Sequence, residues 1–180
     1  MKVIDCFAVM GLCFALLFFC GCASQGQNQQ TNVGGNILAT DHLSVEYPKG
    51  WVVAKEDNYS ALFLFSNESS EDAVENVIVV AFPVPEGFPN ETEAIKQRFV
   101  DELSGYNQSS LSYGACNGDV GSQVCNFIYS FEYNNTVIKR KQVVFFKEGV
   151  MCQTIYSATP ETYDTYQRSA DQLTATLKCF

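Results

Sequence analysis

The chain has 180 residues, of which 47% are hydrophobic, and its 20 acidic and 11 basic side chains give a net charge of −9. This apolar content excludes a wholly disordered chain, and the acidic balance argues against nucleic-acid binding, which needs clustered Lys and Arg. With one histidine, a histidine-based zinc site or a histidine-relay enzyme is not expected. The length suits a single domain.

The N-terminal segment is typical of an export signal. Residues 6–23 form an apolar stretch behind Lys2 that is shorter than the ~20 residues a membrane-spanning helix needs. The stretch ends in LFFCGCAS, which resembles the lipobox of prokaryotic lipoproteins, where a peptidase cuts before the cysteine and the thiol carries a lipid. We therefore predict a lipoprotein signal peptide over residues 1–21 and lipidation of Cys22. A plain secretory cut before Ser24 and retention as an uncleaved short anchor are the alternatives.

A polar tether is predicted to follow the leader. Residues 24–35, SQGQNQQTNVGG, contain no charged or aromatic side chain, so they cannot bury enough apolar surface to fold. A flexible coil of about a dozen residues spans roughly 20 Å. We place the disordered tether at residues 22–40 and the folded domain at residues 41–180, on the outer face of a prokaryotic (for example archaeal) cell membrane.

The first half of the domain predicts short strands and one helix. Leu43, Val45 and Tyr47 alternate on one side of a strand in HLSVEYP, and WVVAKE and ALFLFSN are two further strands. The continuous apolar run ENVIVVAFPVP predicts a central strand that is buried on both faces. The helix that follows has Asn90 as its N-cap and ends at Gly105. Its apolar face carries Ile95, Phe99, Val100 and Leu103.

The second half predicts antiparallel strands closed by a helix. The Asn-Asn pair at residues 134–135 tolerates positive φ and suits a tight turn, and the Glu-Gly pair at residues 148–149 makes a second turn. Thr159 as cap and Pro160 as first residue predict an amphipathic helix that ends at Cys179. The order of elements indicates an α+β fold, an antiparallel sheet with helices packed on it. One face of VCNFIYSFEY carries Cys125, Phe127, Tyr129, Phe131 and Tyr133.

Four cysteines lie in the predicted domain, which favours two disulfides in an exported protein and allows three pairings. Cys116 and Cys125 flank the turn NGDVGSQV and should face each other across a hairpin. Cys152 begins a strand, and Cys179 ends a helix of similar length that returns to that point. Geometry therefore favours these two pairs. The four cysteines have no C-x-x-C spacing, which argues against a metal site or a redox-active pair.

Five Asn-x-Ser/Thr sequons fall in predicted turns or at the edges of elements. In an exported chain such asparagines are candidate glycan acceptors. The alternative is that Asn, Ser and Thr are simply common in turns. The five acceptors are Asn58, Asn67, Asn90, Asn107 and Asn134.

Chemical motifs are few. His42 precedes a strand and is interpreted as an exposed residue at its start, and the chain has neither a G-x-S-x-G nor an H-E-x-x-H motif. The acidic loop NESSEDAVEN is a candidate Ca²⁺ or Mn²⁺ site and would also serve a carboxylate-based hydrolase, but it lacks the spacing of a calcium loop, and a solvated loop is the competing interpretation. Its candidate ligands are Glu68, Glu71, Asp72 and Glu75.

Two surface features were considered as contact sites. Lys139, Arg140 and Lys141 alternate across a strand, so they form no single patch and are interpreted as surface charges that pair with acidic residues. An anionic headgroup or partner contact is the alternative. Tyr129, Phe131 and Tyr133 are candidates for an aromatic binding surface if the helices leave their face open.

Three segments resemble the PsbP-like family. They are HLSVEYPKGW at residues 42–51, the strand ENVIVVAFPVP followed by the helix ETEAIKQRFVDEL, and the final YSATPETYDTYQRSADQLTATL. The resemblance covers most of residues 41–180 and implies an α-β-α sandwich that serves as an extracytoplasmic accessory domain. Well-known members bind photosystem complexes, and many prokaryotic lipoproteins share the fold without an assigned activity. The four cysteines depart from the family pattern, and no ligand-binding residue of the family maps onto this chain.

Together these observations predict a membrane-anchored, non-catalytic module that contacts a protein partner in a surface complex and needs no cofactor. The alternative is a lipoprotein that binds a small ligand or a Ca²⁺ or Mn²⁺ ion. An enzyme is the third hypothesis.

Overall fold

The computed structural model describes residues 36–65, 74–104, 108–118 and 124–180. Two helices accompany the strands, and in the described residues neither helix has the length and apolarity needed to span a membrane. The elements in chain order are β1 (Asn36–Ala39), β2 (Leu43–Tyr47), β3 (Val52–Glu56), β4 (Ser60–Leu64), β5 (Asn76–Pro83), α1 (Thr92–Ser104), β6 (Gln108–Asn117), β7 (Val124–Tyr133), β8 (Thr136–Lys147), β9 (Val150–Ala158), α2 (Tyr163–Thr176) and β10 (Lys178–Cys179).

The strands form two antiparallel sheets. The large sheet has the order β3-β4-β5-β9-β8-β7-β6, and the small sheet has the order β1-β2-β10. The predicted tight turns are confirmed: Asn134 and Asn135 have φ of 50° and 61°, and Glu148 and Gly149 have φ of 52° and 83°. Both turns join strands that pair directly, β7 with β8 and β8 with β9. The predicted α+β class, an antiparallel sheet with packed helices, is confirmed.

Two hydrophobic cores lie on opposite faces of the large sheet. The α2 core packs α2 and the small sheet against β4, β5 and β9, and Leu43, Phe63, Tyr163 and Leu173 are among its buried residues. The α1 core packs Ile95 and Phe99 of α1 against β6, β7 and β8. Val100 is partly buried against the α1 core, as the apolar face predicted, while the side chain of Leu103 lies outside the described part.

The most continuously buried strand is β9 rather than β5. From Met151 to the end of β9 every residue is buried, whereas Ile78 and Phe82 of β5 are only partly covered. β9 stands in the middle of the large sheet, and it contributes Cys152 to the α2 core and Met151 to the α1 core. The run ENVIVVAFPVP therefore predicted a strand. It did not predict which strand of the sheet is most buried, because the order of the strands depends on pairing between distant segments.

Two disulfides join Cys116 to Cys125 and Cys152 to Cys179, which are the pairs that geometry favoured. Cys116 and Cys125 are directly opposed on β6 and β7. The second bridge ties the start of β9 to β10, beyond the end of α2. Each bridge is buried in a different core.

Residues 36–39, which the prediction assigns to the tether before the boundary at residue 41, are folded. Asn36–Ala39 form β1, which pairs with β2 and adds Leu38 to the α2 core. The Thr40 hydroxyl accepts hydrogen bonds from the amides of His42 and Leu43 and closes the turn between the two strands. The prediction missed β1 because the residues that precede it are polar. Pairing with β2 stabilises this strand. The predicted leader, Cys22 and residues 22–35 lie outside the described residues.

The last helix is shorter than predicted at both ends. Thr159 and the residues up to Thr162 form a turn in which the Thr159 carbonyl accepts the amides of Thr162 and Tyr163, so α2 begins at Tyr163. Leu177 is extended, with φ −63° and ψ 127°, and ends the helix. Lys178–Cys179 then form β10, which pairs with β2 and completes the small sheet.

Candidate functional site

Aromatic side chains from four separate segments meet at one end of the two sheets. His42 follows the β1–β2 turn, Tyr59 lies in the β3–β4 turn, Phe82 is near the end of β5, and Phe180 follows β10. With Pro83 and Val150 they line the same small recess. We call His42, Tyr59, Phe82 and Phe180 the aromatic end patch.

The patch exposes large aromatic surfaces to solvent. The His42 and Tyr59 rings stack with centroids 4.2 Å apart and planes 10° from parallel. Tyr59 is 47% exposed and Phe180 is 63% exposed. The Phe180 amide donates a 3.0 Å hydrogen bond to the His42 carbonyl, which holds the two residues together. Exposed aromatic residues that cluster are typical of contact surfaces, whereas single exposed apolar residues are common everywhere.

The turn that carries Tyr59 is fixed by hydrogen bonds. The Asp57 carboxylate accepts the amides of Tyr59 and Ser60 at 2.7 Å each, and it also accepts the Ser60 hydroxyl at 2.9 Å. The Tyr59 carbonyl accepts the Ala81 amide at 2.8 Å. The Thr40 hydroxyl donates to the Asn58 carbonyl at 2.9 Å and links this turn to the β1–β2 turn. These hydrogen bonds fix the backbone that carries Tyr59.

The recess beneath the patch is too small for an organic ligand. Its volume is about 30 Å³, close to the space one water molecule occupies. Small-molecule sites usually enclose about 300–1,000 Å³. A larger hollow of about 470 Å³ lies along the outer face of α2, but it is shallow and lined by residues such as Asp164 and Arg168. The aromatic end patch is accordingly an exposed surface without a pocket large enough for an organic ligand.

The patch lies at the opposite end of the small sheet from the point where the chain enters the fold. Asn36 pairs with Tyr47, and the β1–β2 turn that precedes His42 lies at the other end of both strands. Four residue intervals of extended chain separate Asn36 from Thr40, a distance of about 13 Å.

The acidic loop is only partly visible. Glu68, Glu71 and Asp72 lie outside the described residues, so the Ca²⁺ or Mn²⁺ site stays a prediction. Glu75 is described, and one of its carboxylate oxygens accepts a 2.7 Å hydrogen bond from the Thr162 hydroxyl. That contact places a carboxylate at the N-terminal end of α2, where the helix dipole favours negative charge. The described residues contain no group of three or more His, Cys, Asp or Glu positioned to hold a metal ion.

The basic triplet divides between the two faces of β8, as the alternation predicted. The Lys139 ammonium lies 3.9 Å from the centre of the Tyr163 ring, and the Lys141 ammonium pairs with Asp171 at 2.7 Å. On the other face, Arg140 Nε donates to the Ser157 hydroxyl at 2.9 Å. All three cations therefore have partners within the domain.

The strand face proposed as an aromatic surface is mostly closed. Tyr129 is buried, and its hydroxyl donates to Gln142 Oε1 at 3.3 Å. Phe131 packs against the α1 core, and its ring lies 4.5 Å from the Arg140 guanidinium carbon. Tyr133 alone among the three is exposed. The prediction was wrong for Tyr129 and Phe131, because packing of the α1 core covers that part of the face.

Burial shapes the acid–base behaviour of a tyrosine pair beside the start of α2. The Tyr156 hydroxyl donates a 2.6 Å hydrogen bond to the Tyr163 carbonyl, and both rings are buried. Burial, helped by the charges of Asp171 and Asp164, raises the pKa of Tyr163 to about 12. Burial also raises the pKa of Tyr156, with smaller contributions led by Tyr163. Both phenols therefore stay protonated near neutral pH.

Three of the five sequons lie in the described residues. Asn58, Asn90 and Asn134 are exposed, in the β3–β4 turn, just before α1 and in the β7–β8 turn respectively. Asn67 and Asn107 lie outside the described part. Glycosylation therefore stays a prediction, with three acceptors open to solvent.

Sequence reasoning missed most of the aromatic end patch. His42 lies just before β2, as predicted, but it is half-buried rather than exposed, and its stacking partner Tyr59 was not predicted. Tyr59 sits in DNYS between two predicted strands, and an aromatic residue in a tight turn was the available signal. No local signal joins Phe82 or Phe180 to them, because the four residues come together only through sheet pairing.

No protein-family model and no curated protein sequence matches the chain. Solved structures share its fold. The solution structure of cyanobacterial PsbP (CyanoP) from Synechocystis sp. PCC 6803 is 15% identical with a TM-score of 0.57, and the match covers 86% of this chain and 98% of that one. LpqN of Mycobacterium tuberculosis, described as involved in cell envelope biogenesis, is 13% identical with a TM-score of 0.55, covering 76% and 82%.

A third structure agrees with these two. PA94 of Pseudomonas aeruginosa, a protein of unknown function, is 12% identical with a TM-score of 0.52, and the match covers 77% of this chain and 92% of that one. At such identities the likeness concerns the fold and not the site. The PsbP-like fold, an antiparallel sheet with packed helices, is therefore confirmed.

Proposed function

We propose that this chain is a membrane-anchored, extracytoplasmic module that contacts a protein partner through the aromatic end patch and carries out no chemistry itself. The observation that carries the proposal is the patch: aromatic rings, more than 40% exposed at Tyr59 and Phe180, on a surface too flat for a small ligand. In this proposal the anchor is a lipid on Cys22. A PsbP-like neighbour described as involved in cell envelope biogenesis supports an envelope role.

The chemistry of the patch defines the partner. Of its four side chains only His42 can carry a charge, so apolar contact and ring stacking dominate over ion pairing. The partner is therefore a folded protein that presents a flat, apolar or aromatic contact surface. Binding of this kind depends little on salt, in contrast to binding through Lys or Arg clusters.

The test is quantitative capture from native membranes with a matched control. The double variant Tyr59→Ser/Phe180→Ser removes exposed rings from the patch, while Tyr133→Ser/Val137→Ser removes side chains that are 53% and 45% exposed from the other end of the large sheet. After cross-linking and solubilisation of the full chain, the wild type and the control variant should recover the same stoichiometric partner. The patch variant should recover at least about tenfold less, the size expected when a central aromatic contact of more than 1.4 kcal/mol is lost. Equal recovery by both variants, or no stoichiometric partner for the wild type, would overturn the proposal.

A glycan on Asn58 would lie beside Tyr59, so the contributions of the glycan and of the rings to partner binding must be measured separately. Asn58→Gln removes the acceptor and leaves the patch intact. Partner recovery that is unchanged or increased in Asn58→Gln supports contact through the rings. Loss of the partner in Asn58→Gln, with Tyr59→Ser/Phe180→Ser unaffected, would assign the contact to the glycan instead.

A further inference from the structure

The outer edge of β1 differs from the other sheet edges of this protein. β3 carries a register shift between Val53 and Lys55 and ends in charged residues, both of which discourage pairing with another strand. β6 carries two register shifts, and β10 has only two residues. β1 has the sequence NILA, with a regular register, no charge and no proline. Natural sheets often protect an edge by irregular register, charge or proline, and in the part of the chain that the structure describes β1 has none of these three.

Hydrogen bonds in the small sheet show which groups of β1 face outward. The His42 carbonyl accepts the Phe180 amide, and Glu46 exchanges hydrogen bonds with the Thr176 hydroxyl, so these β2 residues turn their backbone groups away from β1. Antiparallel pairs alternate, so Ile37 and Ala39, which oppose Glu46 and Ser44, do not bond to β2. Their N–H and C=O groups point away from the sheet. In the described residues no strand pairs with that side.

The side chains of the edge suit a partner with the same sequence. Ile37 is 56% exposed on one face of the small sheet, while Leu38 packs toward the α2 core on the other. If two β1 strands pair antiparallel about Leu38, Ile37 lies opposite Ala39 of the second copy and the two Leu38 residues lie opposite each other. A large residue then meets a small one on one face, and the two α2 cores become continuous on the other.

We propose that β1 is a dimerisation edge, at which a second copy of this chain pairs its own β1 antiparallel about Leu38 and joins the two small sheets into one. The length of chain before Asn36 fits this arrangement. Pairing about Leu38 sets the two Asn36 residues about 13 Å apart, while each tether spans roughly 20 Å, so both anchors reach one membrane. Anchoring on a shared surface raises the effective concentration of the second copy. The anchor belongs to the proposed function, but the edge pairing does not require the aromatic end patch.

Cysteine cross-linking in native membranes tests the register. Leu38→Cys in the full chain should give a covalent dimer on mild oxidation, because residue 38 opposes itself as a non-hydrogen-bonded pair with close Cβ atoms. Val52→Cys, on the exposed edge strand β3, is the matched control and should give no more dimer than the unsubstituted chain. Adding Ile37→Lys or Ala39→Pro to Leu38→Cys should lower the dimer fraction at least about fivefold, since one places a charge on the edge and the other removes an outward donor.

A second arrangement covers the case in which Leu38→Cys disturbs the fold. Copies carrying Ile37→Cys and copies carrying Ala39→Cys, both exposed positions, should cross-link when co-expressed and do so less when expressed singly. Absence of dimer in both arrangements, a dimer that ignores Ile37→Lys, or a cross-link to a different protein would overturn the proposal. Tyr59→Ser/Phe180→Ser should leave the dimer unchanged, so failure here is distinguishable from failure of the proposed function.

Discussion

Removal of the two disulfides should destabilise the domain unequally. The Cys152–Cys179 bridge closes 27 residues and the Cys116–Cys125 bridge closes 9. Loop-closure entropy then assigns about 3.5 kcal/mol to the first bridge and about 2.5 kcal/mol to the second. For a domain of this size about 1 kcal/mol lowers the melting temperature by 2–4 °C, so Cys152→Ala/Cys179→Ala should melt roughly 7–14 °C lower than the wild type.

The assay uses a reporter within the α2 core. Trp51 is the single tryptophan, and its ring contacts the Phe65 ring edge-on at 4.3 Å. Its fluorescence in urea titrations, compared with far-ultraviolet circular dichroism, gives the free energy of unfolding for Cys152→Ala/Cys179→Ala and for Cys116→Ala/Cys125→Ala. The wild type in reducing agent is a third sample and should lose at least as much stability as either variant. Equal losses in the two variants, or a larger loss in Cys116→Ala/Cys125→Ala, would refute the loop-length reasoning.

Three further predictions concern packing, a turn and ionisation. Leu173→Ala, at a side chain that is 0% exposed, should cost about 2–5 kcal/mol in urea unfolding, and a loss below about 1 kcal/mol would contradict its place in the α2 core. Asn135→Gly, at φ 61°, should raise the melting temperature slightly by relieving a left-handed conformation, while a decrease would argue against this turn geometry. Burial raises the pKa of Tyr163 to about 12 and also raises the pKa of Tyr156, so both phenols bind protons more tightly in the folded state. The contribution of this pair to stability should therefore be complete below the unfolded pKa of about 10 and be lost as pH rises through 12. The tyrosinate absorbance of Tyr156 and Tyr163 should appear only as the protein unfolds, and ionisation of all nine tyrosines near pH 10 without unfolding would contradict the burial of this pair.

In the proposed function, the lipid anchor and the contact surface are separate parts of the chain. Asn36 pairs with Tyr47 at one end of the small sheet, and the aromatic end patch lies at the other end of β2. The pairing edge of β1 contains none of the four patch residues, but antiparallel pairing about Leu38 sets Asn36 of the second copy opposite Thr40, next to the β1–β2 turn that precedes His42. A partner with two equivalent contact surfaces would then bind a dimer more tightly than a monomer, through effective concentration.

Local features of this protein could be predicted from its sequence. The alternation of Leu43 and Val45 marked β2, and the Asn-Asn pair at residues 134–135 marked a turn with positive φ. The pairing of Cys116 with Cys125 followed from a hairpin of short span, because such geometry depends on neighbouring residues. The predicted leader and tether rest on composition, which is a local property too.

Tertiary structure decided what depends on distant segments. β1 is a strand because β2 lies beside it, β9 is the most buried strand because β5 and β8 flank it, and α2 stops where the chain must pair with β2. The aromatic end patch joins His42, Tyr59, Phe82 and Phe180 by the same means. Propensity acts over a few residues, whereas strand order and burial follow from packing the whole chain, so a surface built from four strand ends has no signature in any one of them.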